Sequence, residues 1–534
     1  MADFDLSGYL FEPRLVSGCI FARMKAAGRY FATLALLLGC DSGGHGTGRV
    51  EAGALADAPV ATGAEAGTVA DAPVATGAEA GPVEPNRDAG AVAVDAGPLR
   101  NVVMVVDDGF DPSVAELIGK VVASHTIVCD QSGANADGGA EAGADPLAEG
   151  ANPDFNRARS DLIAALQQPD RSCQLRAGMQ PYDQTWLASV DGYRDRWNAA
   201  LRSDTDLTQA FTSAEYAAIV SALQSEPQDA RVHGTSVAGL LAYQNPDLRL
   251  VLVQYPLLST SEVAAQVQCI SQATVDQAMA LLADAQVRAA YVSRPRADLD
   301  RGLDDVISRN NVGSLNLSLG VLSTKAVADA MVAQGCARVD LGPWQARLSE
   351  LDRAQEAAQS APSALAIQSA GNEGVTIDSP ADSSDCRLGD PARMLVGAYG
   401  VDGVLASFSN HGLCVDVLAP GQKIIAPLPG NWLLPQDGTS FSAPLVARLA
   451  SMEAPLPFVP SQTRTWLLSL RDSESKIPVA RFPADVVYNP IKAASASALT
   501  FTPAIVAIEP TSSQRTDAVK LHRLLWILER LAGR

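Results

Sequence analysis

Between residues 101 and 445, short continuous apolar runs alternate with stretches of helical spacing. The runs 102–106, 250–254, 315–317, 365–368, 394–396 and 415–418 have strand length and read as buried strands. Strand–helix alternation of this kind predicts an α/β domain. Helical patterns also occupy 155–225. There Thr212-x-x-Glu215 forms a capping box ahead of an apolar face of Tyr216, Ile219, Val220 and Leu223. Trp186, Tyr193 and Trp197 mark a second helix, where aromatics at such spacing build core rather than a ligand cage. Residues 461–470 read as a further helix. Near the end, Leu521, Leu524, Leu525, Leu528 and Leu531 share one helical face flanked by Lys520, Arg523 and Arg530. Such a helix can lie on anionic lipid or pack on the parent domain.

The pattern breaks down in two places. Residues 41–100 are rich in Ala, Gly, Pro and Val, without aromatics, and repeat ADAPVATGAEAG at 56–67 and 70–81. This composition cannot bury enough apolar surface to offset ordering entropy, and it reads as a disordered tether. Residues 131–154 carry five acidic and no basic residues, as expected of a loop inserted within the domain.

Upstream of the tether, Lys25 and Arg29 precede an apolar run over 30–38, then Gly39 and Cys40. The run is too short to span a bilayer and has the length of a signal-peptide core. Asp3, Asp5 and Glu12 do not suit a signal n-region, so Met24 is the expected start. Leu37-Leu38-Gly39-Cys40 resembles a bacterial lipoprotein box, although Leu38 departs from the small residue usual there. The resemblance implies lipidation at Cys40, a membrane anchor, and an exported protein of the bacterial cell envelope. The other reading is a buried N-terminal helix ending at an incidental cysteine.

The full chain of 534 residues has a net charge of −20, which argues against nucleic acid as a partner, because phosphate contacts need Lys and Arg. Beyond Cys40, six cysteines remain: Cys129, Cys173, Cys269, Cys336, Cys386 and Cys414. Export would place them in an oxidising space. Pairing of neighbours along the chain is the simplest of the possible connectivities, and buried free thiols are the alternative.

Four candidate strand ends or helix starts carry unusual residues. The run 102–106 delivers Asp107-Asp108-Gly109, and a buried acid is costly unless paired. His233-Gly234-Thr235-Ser236-Val237-Ala238-Gly239 sets one of only five histidines before a small-residue helix pattern. Ser369-Ala370-Gly371-Asn372 follows a strand and offers an amide donor. Gly438-Thr439-Ser440-Phe441-Ser442-Ala443-Pro444 sets a serine at a helix start, where unpaired N–H groups favour negative charge. Taken singly, each has an ordinary reading: an Asp-Gly turn, a histidine cap, a turn asparagine and a serine N-cap.

Together the motifs, in the order Asp, His, Asn, Ser, resemble the subtilisin-like serine proteases. The resemblance covers roughly 101–495. It implies a three-layer α/β fold with a mainly parallel central sheet and helices on both faces. It implies a serine endopeptidase acting through an acyl-enzyme, with Asp107, His233 and Ser440 as the catalytic triad and Asn372 as oxyanion donor. Asp107 is preferred over Asp108 because the family acid lies two residues before the glycine. Ser318-Leu319-Gly320 is similar to the family strand that pairs with extended peptide, and Gly371 lies near its specificity pocket. The segments 405–412 and 415–421 are similar to structural regions before the nucleophile, and 486–494 to the end of the catalytic domain. Polypeptides are the expected substrates. No cofactor or metal is required; the resemblance leaves calcium open. Rival outcomes on the same scaffold are a peptide ligase or cyclase, and an inactive peptide-binding relative.

The expected organisation is a signal segment 1–39, a lipid-anchored tether 40–100, a catalytic domain 101–495 and an extension 496–534. The catalytic domain carries an insertion, 131–225. Asp107 and His233 are 126 residues apart, where compact members of the family use a few tens. The insertion accounts for the excess, as a lid or side module, and the tether leaves no room for a folded prodomain.

Overall fold

The computed structural model describes residues 10–16, 19–25, 36–38, 98–129, 153–180, 187–203, 205–224, 232–259, 263, 267, 269–319, 324–359, 364–380, 382–400, 402–472, 480–482 and 515–531. Cys40, the tether up to residue 97, the acidic stretch up to residue 152, Trp186, Gly320 and 486–494 lie outside them. Residues 99 and 100, assigned to the tether by composition, instead open the strand Leu99–Asp107. The chain divides into two units, residues 1–89 and 90–534. In the first, Leu10–Val16, Cys19–Lys25 and Leu36–Leu38 form a three-stranded antiparallel sheet. Among the described residues, no helix is long and apolar enough to cross a membrane.

The second unit is built on eight strands: β1 (Leu99–Asp107), β2 (Val121–Cys129), β3 (Cys173–Ala177), β4 (Arg249–Gln254), β5 (Val312–Leu317), β6 (Leu365–Ser369), β7 (Arg393–Tyr399) and β8 (Val417–Pro420). Their order is β8-β7-β6-β5-β1-β4-β2-β3, parallel throughout except for the antiparallel edge strand β3. Five of the six runs singled out by pattern are strands of this sheet, and the sixth, 415–418, meets its strand only from Val417 onward. β1 is central, so its apolar run is continuous rather than alternating. Val102, Met104 and Val106 pack on one face, with Leu299, Val306 and Ile307 of the helix Asp298–Asn310. Val103 and Val105 pack on the other, with α1 (Val232–Ala242) and α2 (Thr439–Glu453). Helices therefore cover both faces of a mainly parallel sheet.

α1 lies close to its neighbours because it is lined with small residues. A Cβ on Gly234 would come within 2.2 Å of the Gly109 carbonyl oxygen, and one on Gly239 within 2.1 Å of the Pro427 ring. Pro427 belongs to the hairpin β9 (Ile424–Leu428) and β10 (Trp432–Gln436), which leads directly into α2. The Ser236 hydroxyl donates to the Pro427 carbonyl at 2.8 Å.

The described part of the insertion is core rather than a lid or side module. It supplies β3, and its helices Arg194–Arg202 and Ser213–Gln224 share the apolar cluster of α1 and α2. The capping box forms: the Thr212 N–H donates to the Glu215 carboxylate at 2.9 Å, and the Glu215 N–H to the Thr212 hydroxyl at 3.3 Å. Trp197 is fully buried, stacks on Tyr216, and donates its indole N–H to the Leu433 carbonyl at 2.8 Å. Asn198 bonds the same hairpin twice, donating to the Asn431 carbonyl and accepting from the Leu433 N–H.

Disulfides join Cys129–Cys173, Cys269–Cys336 and Cys386–Cys414, the neighbour pairing. The first links directly opposed residues of β2 and β3. The apolar face of the terminal helix α3 (Ala518–Leu531) is buried against the helices Gln272–Ala283, Ala285–Val292 and Gly342–Ala358. Of the two sequence readings for this helix, the structure takes packing on the parent domain.

Candidate active site

β1 ends at Asp107, whose carboxylate is fully buried. A buried carboxylate needs partners to offset its lost hydration. Asp107 Oδ1 lies 2.7 Å from His233 Nδ1 and accepts the Asp108 N–H at 2.9 Å. His233 is only 5% exposed and sits in the first turn of α1. The Phe441 ring lies tilted against it, with centroids 5.5 Å apart. The two adjacent acids divide their work. Asp108 Oδ1 instead accepts the Gly234 N–H at 3.2 Å, tying down the start of α1. The sequence posed Asp107 and Asp108 as competitors; the structure gives the histidine to Asp107.

Ser440 is the second residue of α2 and 2% exposed. Its hydroxyl donates to the Ser318 carbonyl at 3.4 Å, and the Ser318 hydroxyl donates to the Ser440 carbonyl at 2.8 Å. The Asn316 amide in turn donates to the Ser318 hydroxyl at 2.9 Å. The end of β5 is thus fastened to the first turn of α2. Leu319 is also buried there, its carbonyl accepting from the Ser369 hydroxyl at 3.2 Å.

Asn372 reaches the same helix start. Its Oδ1 accepts both the N–H and the hydroxyl of Thr439, at 2.8 and 2.9 Å. That fixes which side of the amide faces the helix and leaves the NH2 group on the other side, beside Gly438. The Gly371 N–H donates to the Thr439 hydroxyl at 3.1 Å. Asn410 braces this turn from behind, through its N–H to the Gly371 carbonyl and its amide to the Ala370 carbonyl at 2.9 Å.

The sequence reading missed three such supports. Thr439 holds Gly371 and Asn372 together, Asn316 supports Ser318, and Asp111 accepts the Ser113 and Gly430 N–H groups at 3.0 and 3.1 Å. Only Thr439, inside the Gly-Thr-Ser motif, carried a local signal. Ser442 anchors α2 to the end of β8 through the Pro420 carbonyl at 3.0 Å, a structural rather than chemical use of the second serine.

Among the described residues, Asp107, Asp108 and His233 form a cluster able to offer ligand atoms within 4.8 Å of one another. Their hydrogen bonds to each other and to the Gly234 N–H already engage Asp107 Oδ1, His233 Nδ1 and Asp108 Oδ1, so the cluster reads as an acid–base pair and a helix cap.

The family model described as the Subtilase family (Peptidase S8) matches residues 100–469. The chain belongs to the subtilase family. Among curated relatives, this subtilase is 42% identical over 74 residues to "Subtilisin-like protease 1" of Arthroderma gypseum, covering 13% of this chain and 15% of that protein. It is 37% identical over 94 residues to the "Thermophilic serine proteinase" of Bacillus sp. (strain AK1), covering 17% and 23%. The matched segments thus span less than a quarter of either relative. Among solved structures, a cold adapted subtilisin-like serine proteinase aligns over 75% of this chain and 92% of its own, at 18% identity and a TM-score of 0.33.

Proposed function

We propose that this subtilase is a serine endopeptidase that hydrolyses polypeptides through an acyl-enzyme. The observation that carries this reading is the buried 2.7 Å contact between Asp107 and His233 Nδ1, in a chain whose family motif sets Ser440 in the first turn of α2. With Asp107 accepting from Nδ1–H, the imidazole presents Nε2 as its basic nitrogen. In the proposed reaction the Ser440 hydroxyl leaves the Ser318 carbonyl and attacks the scissile carbonyl carbon. His233 takes the hydroxyl proton and returns it to the leaving amine, and water later releases the acyl group by the same proton route. Asp107 holds the imidazole and stabilises its charged form. The Asn372 amide N–H and the Ser440 backbone N–H hold the oxyanion, helped by the positive end of α2. Ser318, Leu319 and Gly320 pair with extended substrate, and Gly371 borders the side-chain pocket. Every proton transfer is made by side chains, and no step passes through a metal or cofactor.

We further propose that the chain is exported and anchored at the bacterial cell envelope by lipidation of Cys40, with 41–100 as spacer. The basic start, short apolar run and Leu-Leu-Gly-Cys ending support that reading. Fatty-acid incorporation that disappears in Cys40→Ala tests it, and unlabelled wild-type protein in an intact bacterial host would overturn it.

The test of the activity is fluorophosphonate labelling of the purified chain with peptide mapping. The expected result is modification of Ser440 that vanishes in Ser440→Ala. Folded protein that takes no label would set the hydrolase aside in favour of an inactive peptide binder. Product masses separate hydrolysis, which adds water, from ligation, which does not.

A further inference from the structure

The main-chain turn that carries both acids rests on the end of β4. Asp107 pairs with Gln254 across the β1–β4 ladder. The next N–H, that of Tyr255, donates to the Asp107 carbonyl at 2.6 Å, and the Gln254 side-chain amide donates to the Asp108 carbonyl at 3.3 Å. Whatever fixes Gln254 and Tyr255 therefore fixes the base of the acid.

Gln254 is held within the sheet region, its side-chain oxygen accepting from the Thr126 hydroxyl at 3.3 Å. What fixes the Tyr255 ring comes from the far end of the chain. The Tyr255 hydroxyl donates to Asp517 Oδ1 at 2.5 Å, and the Asp517 side chain is almost fully buried. Asp517 Oδ1 also accepts the Lys520 N–H at 2.8 Å, capping α3. Arg515–Asp517 then pairs antiparallel with Leu257–Ser259, just past Tyr255. The terminal segment is itself well held. The Lys520 ammonium bonds both oxygens of buried Asp385 at 2.8 and 2.9 Å, Arg523 pairs with Asp300 at 2.7 Å, and the Trp344 indole donates to the Leu524 carbonyl at 2.8 Å. Residues 515–531 lie beyond the stretch 100–469 that matches the family.

We propose that Tyr255 and Asp517 are positioning residues for Asp107: the C-terminal segment clamps the end of β4 from outside, and the Tyr255 N–H carries that restraint to the acid. The inference rests on the peptidase reading above. Tyr255→Phe keeps the ring and removes the one hydroxyl that anchors it. The loosened strand end lets the acid turn shift, and small misplacements of reacting groups lower the rate of the chemical step more than the binding of the reagent.

The experiment uses the full-length chain and a fluorophosphonate at a series of concentrations, well below the melting temperature of every variant. In Tyr255→Phe the maximal inactivation rate is expected to fall about tenfold, with the half-saturating concentration unchanged. Asp517→Asn keeps an acceptor for the tyrosine hydroxyl and is expected to retain the parental rate; Asp517→Leu keeps none and is expected to match Tyr255→Phe. Folded Tyr255→Phe or Asp517→Leu protein that labels at the parental rate, whatever its melting temperature, would overturn the proposal. Should Tyr255→Phe fail to fold, the Asp517→Asn and Asp517→Leu pair decides it alone. A parental chain that takes no label at all overturns the peptidase reading instead, so the two failures are told apart by the control.

Discussion

Ser318 and Ser440 hold each other by reciprocal hydrogen bonds, each hydroxyl donating to the other's carbonyl, at 2.8 Å from Ser318 and 3.4 Å from Ser440. This sets the reacting hydroxyl of the proposed mechanism on the strand expected to pair with substrate. In Ser318→Ala the Ser440 carbonyl loses a donor and the Asn316 amide loses its acceptor. Leaving a buried donor unsatisfied costs about 1–3 kcal/mol. The expected outcome is a lower melting temperature together with slower labelling of Ser440, read by calorimetry and fluorophosphonate kinetics. An unchanged labelling rate would reduce Ser318 to a structural contact.

The two acids should separate sharply. Asp107→Asn is expected to lower turnover by about 10⁴ while leaving the protein folded, because an amide can hold the imidazole in the wrong tautomer. Asp108→Asn removes only a charge that caps α1 and is expected to cost about 1 kcal/mol or less of stability, with turnover within a few-fold of wild type. Steady-state hydrolysis of a peptide substrate, with circular dichroism to verify folding, distinguishes them. Equal losses at both positions would refute the division of roles.

Gly234 and Gly239 leave no room for a methyl group. Adding Cβ at Gly234 pushes the start of α1 off the Gly109 carbonyl, 2.2 Å away. At Gly239 it drives into the Pro427 ring, which sits on the hairpin leading into α2. Overpacking costs about 1–3 kcal/mol where neighbours can yield, and backbone oxygen yields less than a side chain. Gly234→Ala is therefore expected to be the more damaging of the two, losing both soluble yield and label. A well-folded, fully labelled Gly234→Ala protein would show that α1 can retreat without disturbing Asp107 and His233.

The Asp385–Lys520 anchor of the terminal helix should weaken in acid. Burial pushes the Asp385 carboxyl up, and the charge and hydrogen bonds of Lys520, together with Gln368 and Arg393, outweigh it, so the group is held below its ordinary value. Stability from a lowered carboxylate is present above the ordinary value of about 4 and is lost as pH falls through the lowered one. Asp517 has the opposite sign: burial pushes its carboxyl up, so its contribution is full at low pH and declines as pH rises. Melting temperatures of wild type, Asp385→Asn and Asp517→Asn against pH test both directions. The Asp385→Asn deficit is expected to be largest near neutrality and to shrink below pH of about 4. A constant deficit would mean that Lys520 contributes through packing alone.

The frame of the molecule was legible because its central strands are buried on both faces. An apolar run such as 102–106 has only one place to go in an α/β domain. The site was legible because Asp107, His233, Asn372 and Ser440 each sit where a strand ends or a helix begins. The edge strands were not legible in the same way. In β2, Ser124, His125 and Thr126 interrupt the apolar pattern, since an edge-ward strand need not be apolar throughout. β3, Cys-Gln-Leu-Arg-Ala, is mostly exposed and mixes polar with apolar residues for the same reason. The insertion looked detachable because its first stretch is acidic and aromatic-free. Its Trp197 and Asn198 make their partners more than two hundred residues away, at Asn431 and Leu433, a contact that no local window contains. The tail was ambiguous for a different reason. A basic amphipathic helix looks alike whether its apolar face meets lipid or protein, and only Trp344 and its neighbours decide between them.

Each disulfide makes a covalent ring of the chain between its cysteines, spanning 44, 67 and 28 residues of sequence separation. A single cut inside any ring opens a loop but releases no fragment. If the chain cleaves itself or a neighbouring copy within 129–173, the product keeps its full mass apart from one added water, and it runs as one species until a reductant is added. Intactness of this protein is therefore a property to be read with thiol present; without thiol, a nicked and an uncut molecule share one polymer.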